Sequence, residues 1–339
     1  MAQLTDRLQG PRQSGWMTDC FAILGKMGGT ALLLLGTAVS AQTYPVKPVR
    51  VIVPFSPGGG SDVIARLVGP KLSARLGQPV VIVNQPAASG VVGTDTAAKA
   101  QPDGHTLLLI TSTHAVNARL ATALPYDLIR DFAPITLVTS SPFGLMLQPA
   151  VPATSIKDFI AYAKANPGKL NYGSSGPGSS PHLATELFMS MTGITMTHIP
   201  YKGVAQYVGA QLGNEIQFSF GNLFSTMGHW KAGRLLLLAH GGAKRLEVFP
   251  ELPTVGETVP GFEAFIWYGF VAPARTPPAL VARLQSEIAA VINSPDMRQF
   301  LVAQGNDVVA SMPDAFAKVI KTDVERWGAL GKRLGVKLD

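Results

Sequence analysis

Two stretches combine glycines, hydroxyls and free backbone amides in a way suited to holding an anion. The first is Phe55-Ser56-Pro57-Gly58-Gly59-Gly60-Ser61-Asp62. Glycine has no Cβ, so its N–H groups can close directly on a ligand. Ser61 and Asp62 are both good helix N-cap residues. A chain that leaves a strand through such a loop and enters a helix presents unpaired N–H groups at the positive end of the helix dipole. The second stretch is Gly173-Ser174-Ser175-Gly176-Pro177-Gly178-Ser179-Ser180, with His182 just beyond. It offers the same device with more hydroxyl donors. Anion binding is the chemistry these residue types suggest; a tight turn with no ligand is the alternative for either loop.

Other chemistries lack their residues. A P-loop ends in Gly-Lys-Ser/Thr, whereas Gly60 is followed by Ser-Asp. Counting from Gly58 and Gly60, the third glycine of a dinucleotide loop would fall at Val63. The run Gly173-Ser174-Ser175-Gly176-Pro177 nears a nucleophile elbow, but Pro177 stands where the last glycine belongs. An exported hydrolase using Ser174 or Ser175 with His182 is therefore only a rival reading. The six histidines (His105, His114, His182, His198, His229, His240) show no ligand spacing, and no paired carboxylates suggest glycoside hydrolysis. No catalytic residue, metal or cofactor is expected. Asp62 reads as a cap that could order water beside a ligand, and Lys202 as a surface charge that could steer a carboxylate.

The elements that must position these loops alternate. Apolar runs predict strands over 51–53, 80–83, 106–111, 143–147, 170–172, 197–199, 217–220, 235–238 and 267–271. Val63, Leu67, Val68, Leu72 and Leu76 fall at helical spacing, with Pro70 expected to kink or interrupt that helix. Ser155 and Asp158 match a capping box for a helix ending near 166. Further helices are predicted up to 100, from 182, up to 212, and over 222–231, 278–293, 295–304 and 313–334. Strand–helix–strand repeats with short connections argue for α/β halves built on parallel sheets. If both loops face one cleft, their N–H groups and hydroxyls converge beyond the carboxyl ends of the strands, where open α/β sheets bind ligands.

The 339 residues carry 28 Lys+Arg against 21 Asp+Glu, a net charge of +7. The charge is spread along the chain, so no nucleic-acid partner is expected. Residues 1–41 read as a signal peptide. Arg7, Arg12 and Lys26 precede an uncharged apolar run over 27–41, and Ala38-Val39-Ser40-Ala41 fits a cleavage site before Gln42. That run is shorter than the roughly 20 residues a spanning helix needs, which disfavours a membrane anchor. Met17 and Met27 are alternative starts. Cys20, the one cysteine, lies in this segment, so the chain from Gln42 can form no disulfide and has no thiol nucleophile.

Several of these motifs together resemble one family. They are Tyr44-Pro45-Val46-Lys47-Pro48-Val49-Arg50, Val53-Pro54 leading into the first loop, Asn171-Tyr172 leading into the second, Pro200-Tyr201-Lys202-Gly203, Pro253-Thr254-Val255-Gly256-Glu257 and Trp267-Tyr268-Gly269. In order and spacing they are similar to the solute receptors of tripartite tricarboxylate transporters, the Bordetella uptake gene (Bug, or TctC) family. The resemblance implies a type II periplasmic binding protein with two doubly wound α/β lobes joined by two crossover strands. Lobe 1 would take residues 42–141 and 266–339, and lobe 2 residues 142–265. It implies a periplasmic monomer that holds a small carboxylate and delivers it to integral membrane transporter subunits. Presentation of the ligand to a sensor kinase is the alternative role. By the same resemblance Phe55, Gly58, Gly59, Gly60, Ser61 and Asp62 form one clamp. Ser174, Ser175, Gly178, Ser179 and His182 form the other, with Tyr201, Lys202 and Gly203 at the border. Two departures stand out: Pro86-Ala87-Ala88-Ser89-Gly90 replaces the family's usual Pro-Gly-Ala-Gly-Gly, and the acidic residue often found near Gly221 is missing.

Overall fold

A computed structural model describes residues 44–334. The expected signal peptide and its cleavage site at Ala41 lie outside the described residues.

The chain first builds a parallel unit. Strands β1 (Val49–Val53), β2 (Val80–Asn84) and β3 (Thr106–Thr111) lie side by side, β1 between the other two. Their connections are helices α1 (Gly60–Leu76) and α2 (Val91–Ala98). The short apolar runs VRVIV and TLLLIT are almost fully buried, as sheets covered on both faces require. Helix α1 begins one turn before the sequence suggested. Gly59 is its N-cap, so Ser61 and Asp62 sit in the first turn rather than capping it. The helix also runs unbroken through Pro70.

The sequence reading missed the next element and found only the last part of the one after it. Helix α3 (Ser112–Leu120) follows β3 with no intervening loop, and residues 112–117 are all buried. A helix buried on every side has no amphipathic stripe to betray it. Strand β4 (Phe132–Leu147) is sixteen residues long, three times the expected 143–147. Pro134 and Pro142 disguise its first part, since proline seldom occupies an interior strand; the register shifts beside Pro134.

The second unit repeats the first. Strands β5 (Asn171–Ser174) and β6 (Thr197–Pro200) run parallel, β5 pairs in parallel with β7 (Phe218–Asn222), and β8 (Leu236–His240) adds to β4. Helices α4 (Ile156–Ala165), α5 (Ser180–Thr192), α6 (Val204–Leu212) and α7 (Leu223–Lys231) connect them. Ser155 caps α4 by accepting from Asp158 N–H at 3.1 Å, half of the expected capping box. Phe159, Phe188, Phe218, Phe220 and Phe262 fill the centre of this unit as one aromatic cluster.

Strand β9 (Phe265–Pro273) then returns to the first unit. It lies antiparallel between β3 and β4, so the sheets are not purely parallel. Up to Pro142, β4 pairs with β9; from Phe143 it pairs with β7. One strand thus serves both units and changes partners between these two residues. Helices α8 (Pro278–Ile292), α9 (Pro295–Ala303) and α10 (Pro313–Leu334), with the two-residue strand β10 (Asp307–Val308), complete the first unit. Phe316 and Trp327 of α10 enter its core with Ile52, Leu108, Ile110 and Val271.

Phe316 packs directly on Gly269 of β9. A Cβ at Gly269 would lie 2.2 Å from Phe316 Cζ and 2.8 Å from the Thr136 carbonyl. Gly269→Ala should therefore push α10 off the sheet and cost about 1–3 kcal/mol. Thermal unfolding followed by circular dichroism checks this, and an unchanged Tm would mean that helix and strand are not in such contact.

Candidate functional site

The carboxyl ends of β1, β3, β5, β6 and β7 lead into helices whose starts border one small cavity between the two units. From α1 come the N-cap Gly59, Gly60 and Ser61. From α3 come its N-cap Thr111 and Thr113. Ser175 and Pro181 represent the loop and first turn of α5, Val204 and Tyr207 those of α6, and Asn222 is the N-cap of α7. Phe55, Phe143, Ile266 and Tyr268 close the walls. The cavity measures about 30 Å³ and no charged side chain lines it. Residues at the starts of five helices thus border one cavity, and helix N-termini are where backbone can favour an anion.

Two wall residues offer unused donors. Asn222 accepts the Ser225 N–H through Oδ1 at 3.0 Å, which fixes the amide and leaves Nδ2 without a partner among the described residues. The Tyr268 hydroxyl also lacks one. Burial, with Tyr207 nearby, pushes the Tyr268 phenol well above its ordinary pKa, so it stays protonated and can donate. A buried donor left unpaired costs about 1–3 kcal/mol, so a ligand oxygen here is energetically favoured. His114, which meets Phe55 edge-on at 5.8 Å, adds no charge. Burial lowers its pKa to about 4 and its Nδ1 accepts the Thr111 N–H.

The residues expected to form the first clamp divide into two groups. Phe55, Gly59, Gly60 and Ser61 line the cavity. Gly58 and Asp62 instead hold the loop in shape. The Asp62 carboxylate accepts from Gly58 N–H (3.0 Å), Asn84 Nδ2 (3.0 Å) and Arg66 Nε (2.9 Å), and Asn84 also donates to the Phe55 carbonyl. Burial works to raise the Asp62 pKa. The hydrogen bonds from Arg66, Gly58 and Asn84, with the Arg66 charge, outweigh it and hold the carboxyl below its usual range.

In the second loop, Ser175 alone of the expected residues lines the cavity. Ser174 Oγ sits 2.7 Å from His198 Nε2, not against His182. Ser179 Oγ donates to the Gly176 carbonyl at 2.7 Å, and Gly178 N–H donates to His182 Nδ1 at 3.1 Å. His182 stacks on His198 with ring centres 4.2 Å apart. Burial, and for His182 the His198 charge, drives these pKa values down to about 3 and about 4. Both rings are neutral at pH 7 and can stack without repulsion. A Ser174–His182 catalytic pair does not form.

Tyr201 and Lys202 border a second, larger chamber of about 350 Å³, which Ala87, Ala88, Ser89 and Gly90 face from the other unit. Gly203 packs on Ser56. Gly221 is directed at Thr226 and Met146 in the second core, and its neighbour Asn222 takes the place on the cavity wall. Hydrogen bonds tie the units together around the cleft: Ser56 Oγ to the Lys202 carbonyl (3.2 Å), Ser89 Oγ to the Pro177 carbonyl (2.8 Å), Ser225 Oγ to the Gly58 carbonyl (3.3 Å) and Ser180 N–H to Thr113 Oγ1 (3.2 Å). Sequence reasoning missed Thr111, Thr113, Asn222 and Tyr268 as wall residues. The hydroxyl triplet Thr111-Ser112-Thr113 directly after a strand was the available signal.

A family profile described as tripartite tricarboxylate transporter family receptor matches residues 64–336. The chain belongs to that family. It is 36% identical over 325 residues to Protein BugT of Bordetella pertussis, a match covering 95% of this chain and 99% of BugT. Its fold is similar to that of the periplasmic binding protein BugD, with TM-score 0.84 at 31% identity over 87% of this chain and 99% of BugD. An R. palustris protein solved with adipate matches equally well, with TM-score 0.84 at 33% identity over 87% and 99% of the two chains. The TctC-family receptor described here therefore has the two-lobed architecture of periplasmic binding proteins, and its relatives are receptors rather than enzymes.

Gly60 is the tightest point of the first loop. A Cβ there would lie 2.2 Å from Tyr268 Oη, whereas one at Gly59 would make ordinary contact with Val204 at 3.6 Å. Gly60→Ala should weaken ligand binding at least about tenfold, or about 1.4 kcal/mol, while Gly59→Ala changes it little; calorimetric titration of both variants checks the contrast. Asp62 gives a pH prediction. Its folded pKa is depressed, so its charge stabilises the fold above the ordinary carboxyl pKa of about 4 and stops doing so as pH falls through the lower folded value. The Tm gap between wild type and Asp62→Asn should be widest near neutral pH and close on acidification; a gap independent of pH would show that the charge is not what matters.

Proposed function

We propose that this chain is a periplasmic receptor that captures a small carboxylate between its lobes and delivers it to the integral membrane subunits of a tripartite tricarboxylate-type transporter. The observation that carries this reading is the convergence of five helix N-termini on a cavity without a charged side chain. Such a site favours a compact anion over a cation or a neutral sugar. Kinship with an adipate-bound receptor supports a carboxylate as that anion.

In this reading lobe 1 comprises residues 42–141 and 266–339 and lobe 2 residues 142–265, with the change of partners in β4 as the hinge. Gly59, Gly60, Ser61, Ser175, Asn222 and Tyr268 contact the ligand carboxylate. Phe55 walls the pocket, and Tyr201, Lys202 and Gly203 border its mouth. Gly58, Asp62, Ser174, Gly178, Ser179 and His182 hold the two loops in shape. The cavity of about 30 Å³ has room for little more than a water or two. Ligand entry therefore requires the cross-cleft hydrogen bonds to open, and capture closes them again. The receptor acts as a monomer exported by the N-terminal segment.

Isothermal titration against mono-, di- and tricarboxylates tests the reading, with the primary amides of the same acids and simple sugars as controls. At least one carboxylate should bind saturably and its amide should not. Binding of a sugar or a cation with every carboxylate silent would overturn it.

A further inference from the structure

Ala88 and Ser89 adopt φ values of 45° and 50°, side by side in the turn between β2 and α2. Left-handed backbone is easy for glycine, whereas in other residues it is strained and persists only where the surroundings over-determine it. Ser89 has such surroundings. From its own lobe, Asn117 Nδ2 on α3 donates to the Ser89 carbonyl at 3.0 Å, and Asn117 is buried. From across the cleft, the Pro177 carbonyl accepts from Ser89 Oγ at 2.8 Å. Opening of the cleft leaves the first bond intact and breaks the second.

The facing loop is shaped to receive that hydroxyl. Gly176 has φ 109°, and a Cβ there would lie 2.6 Å from Ser89 Oγ, so glycine is what lets the two loops close to this distance. Gly176 is itself fixed: its N–H donates to Ser174 Oγ at 3.1 Å and its carbonyl accepts from Ser179 Oγ at 2.7 Å. A few residues on, Ser180 N–H donates to Thr113 Oγ1 of α3 at 3.2 Å. The serine loop is thus docked on the first unit at both ends, and Ser175, the cavity-wall residue, directly precedes the docked Gly176.

We propose that Ser89 is a closure latch and the positioning residue for the serine loop: its hydroxyl, presented by a strained turn, docks the 176–177 segment across the cleft and so holds Ser175 at the cavity wall. This rests on the receptor reading, in which the lobes part to admit a ligand. It goes beyond that reading because the latch favours the closed form whether or not a ligand is bound. Asn117 holds the turn in the open and closed forms alike, so the strain is common to both, and the hydroxyl bond belongs to the closed form alone. One neutral hydrogen bond shifts such a balance about fivefold.

The chain from Gln42 has no cysteine, so nitroxide labels can be attached through Lys157→Cys and Lys318→Cys, at exposed positions of lobe 2 and lobe 1. Double electron–electron resonance on the ligand-free protein then measures the closed and open separations. Ser89→Ala and Ser89→Gly should each lower the closed-to-open ratio about fivefold. Ala88→Gly, which eases the turn and keeps the hydroxyl, should leave that ratio where it is. Ser89→Gly should melt above Ser89→Ala, because both lack the hydroxyl and only glycine is at ease at this φ. A ratio that neither Ser89 variant moves overturns the latch, and so does one that Ala88→Gly moves as far. Equal melting of the two Ser89 variants overturns the strained turn. No carboxylate enters these measurements, so their failure is distinct from failure of the titrations that test the receptor reading.

Discussion

A cavity bordered by the first turns of five helices and by no charged side chain is the feature on which this structure depends. An isolated ion loses far more hydration energy on burial than one hydrogen bond returns. Amide dipoles can meet that cost only if many of them aim at one place, and a single helix supplies about half a positive charge at its N-terminus. Convergence of five such ends demands strands whose carboxyl termini approach from two sides. The antiparallel pair β4 and β9 achieves this, because it turns two parallel sheets into facing halves. The long strands, the hydroxyl-rich junctions and the neutral histidines all follow from that geometry.

Burial determines which side chains touch the cavity and which hold the loops. Asp62, Ser174, Ser179 and His182 are engaged by their own loop neighbours, so they set backbone geometry while the backbone meets the ligand. Burial keeps the rings of His114, His182 and His198 neutral, so none of them adds a charge near the cavity. The electrostatics of the site are therefore spread over main-chain groups that substitution of a side chain alters only indirectly.

Much of this was legible in the sequence. The glycine loop at 58–60 and the serine loop at 174–180 each follow a strand and precede a helix, and Gly59, Gly60 and Ser175 border one cavity. Strands with continuous apolar runs and the C-terminal helices with clear periodicity were equally plain. What stayed hidden had a physical reason in each case. The first two turns of helix α3 are buried all round and show no stripe. Half of β4 carries prolines and threonines that read as a loop. Tyr268 becomes a wall residue only because β9 returns from a distant part of the chain, which local spacing does not encode.

The exchange of partners along β4 has one more consequence. Its first part supplies hydrogen bonds to β9, and its last five residues supply them to β7 and β8, so neither sheet is complete without the same continuous strand. Melting either half would strip the other of a central member and expose its core. Loss of order in either half would therefore reach the other through one shared strand.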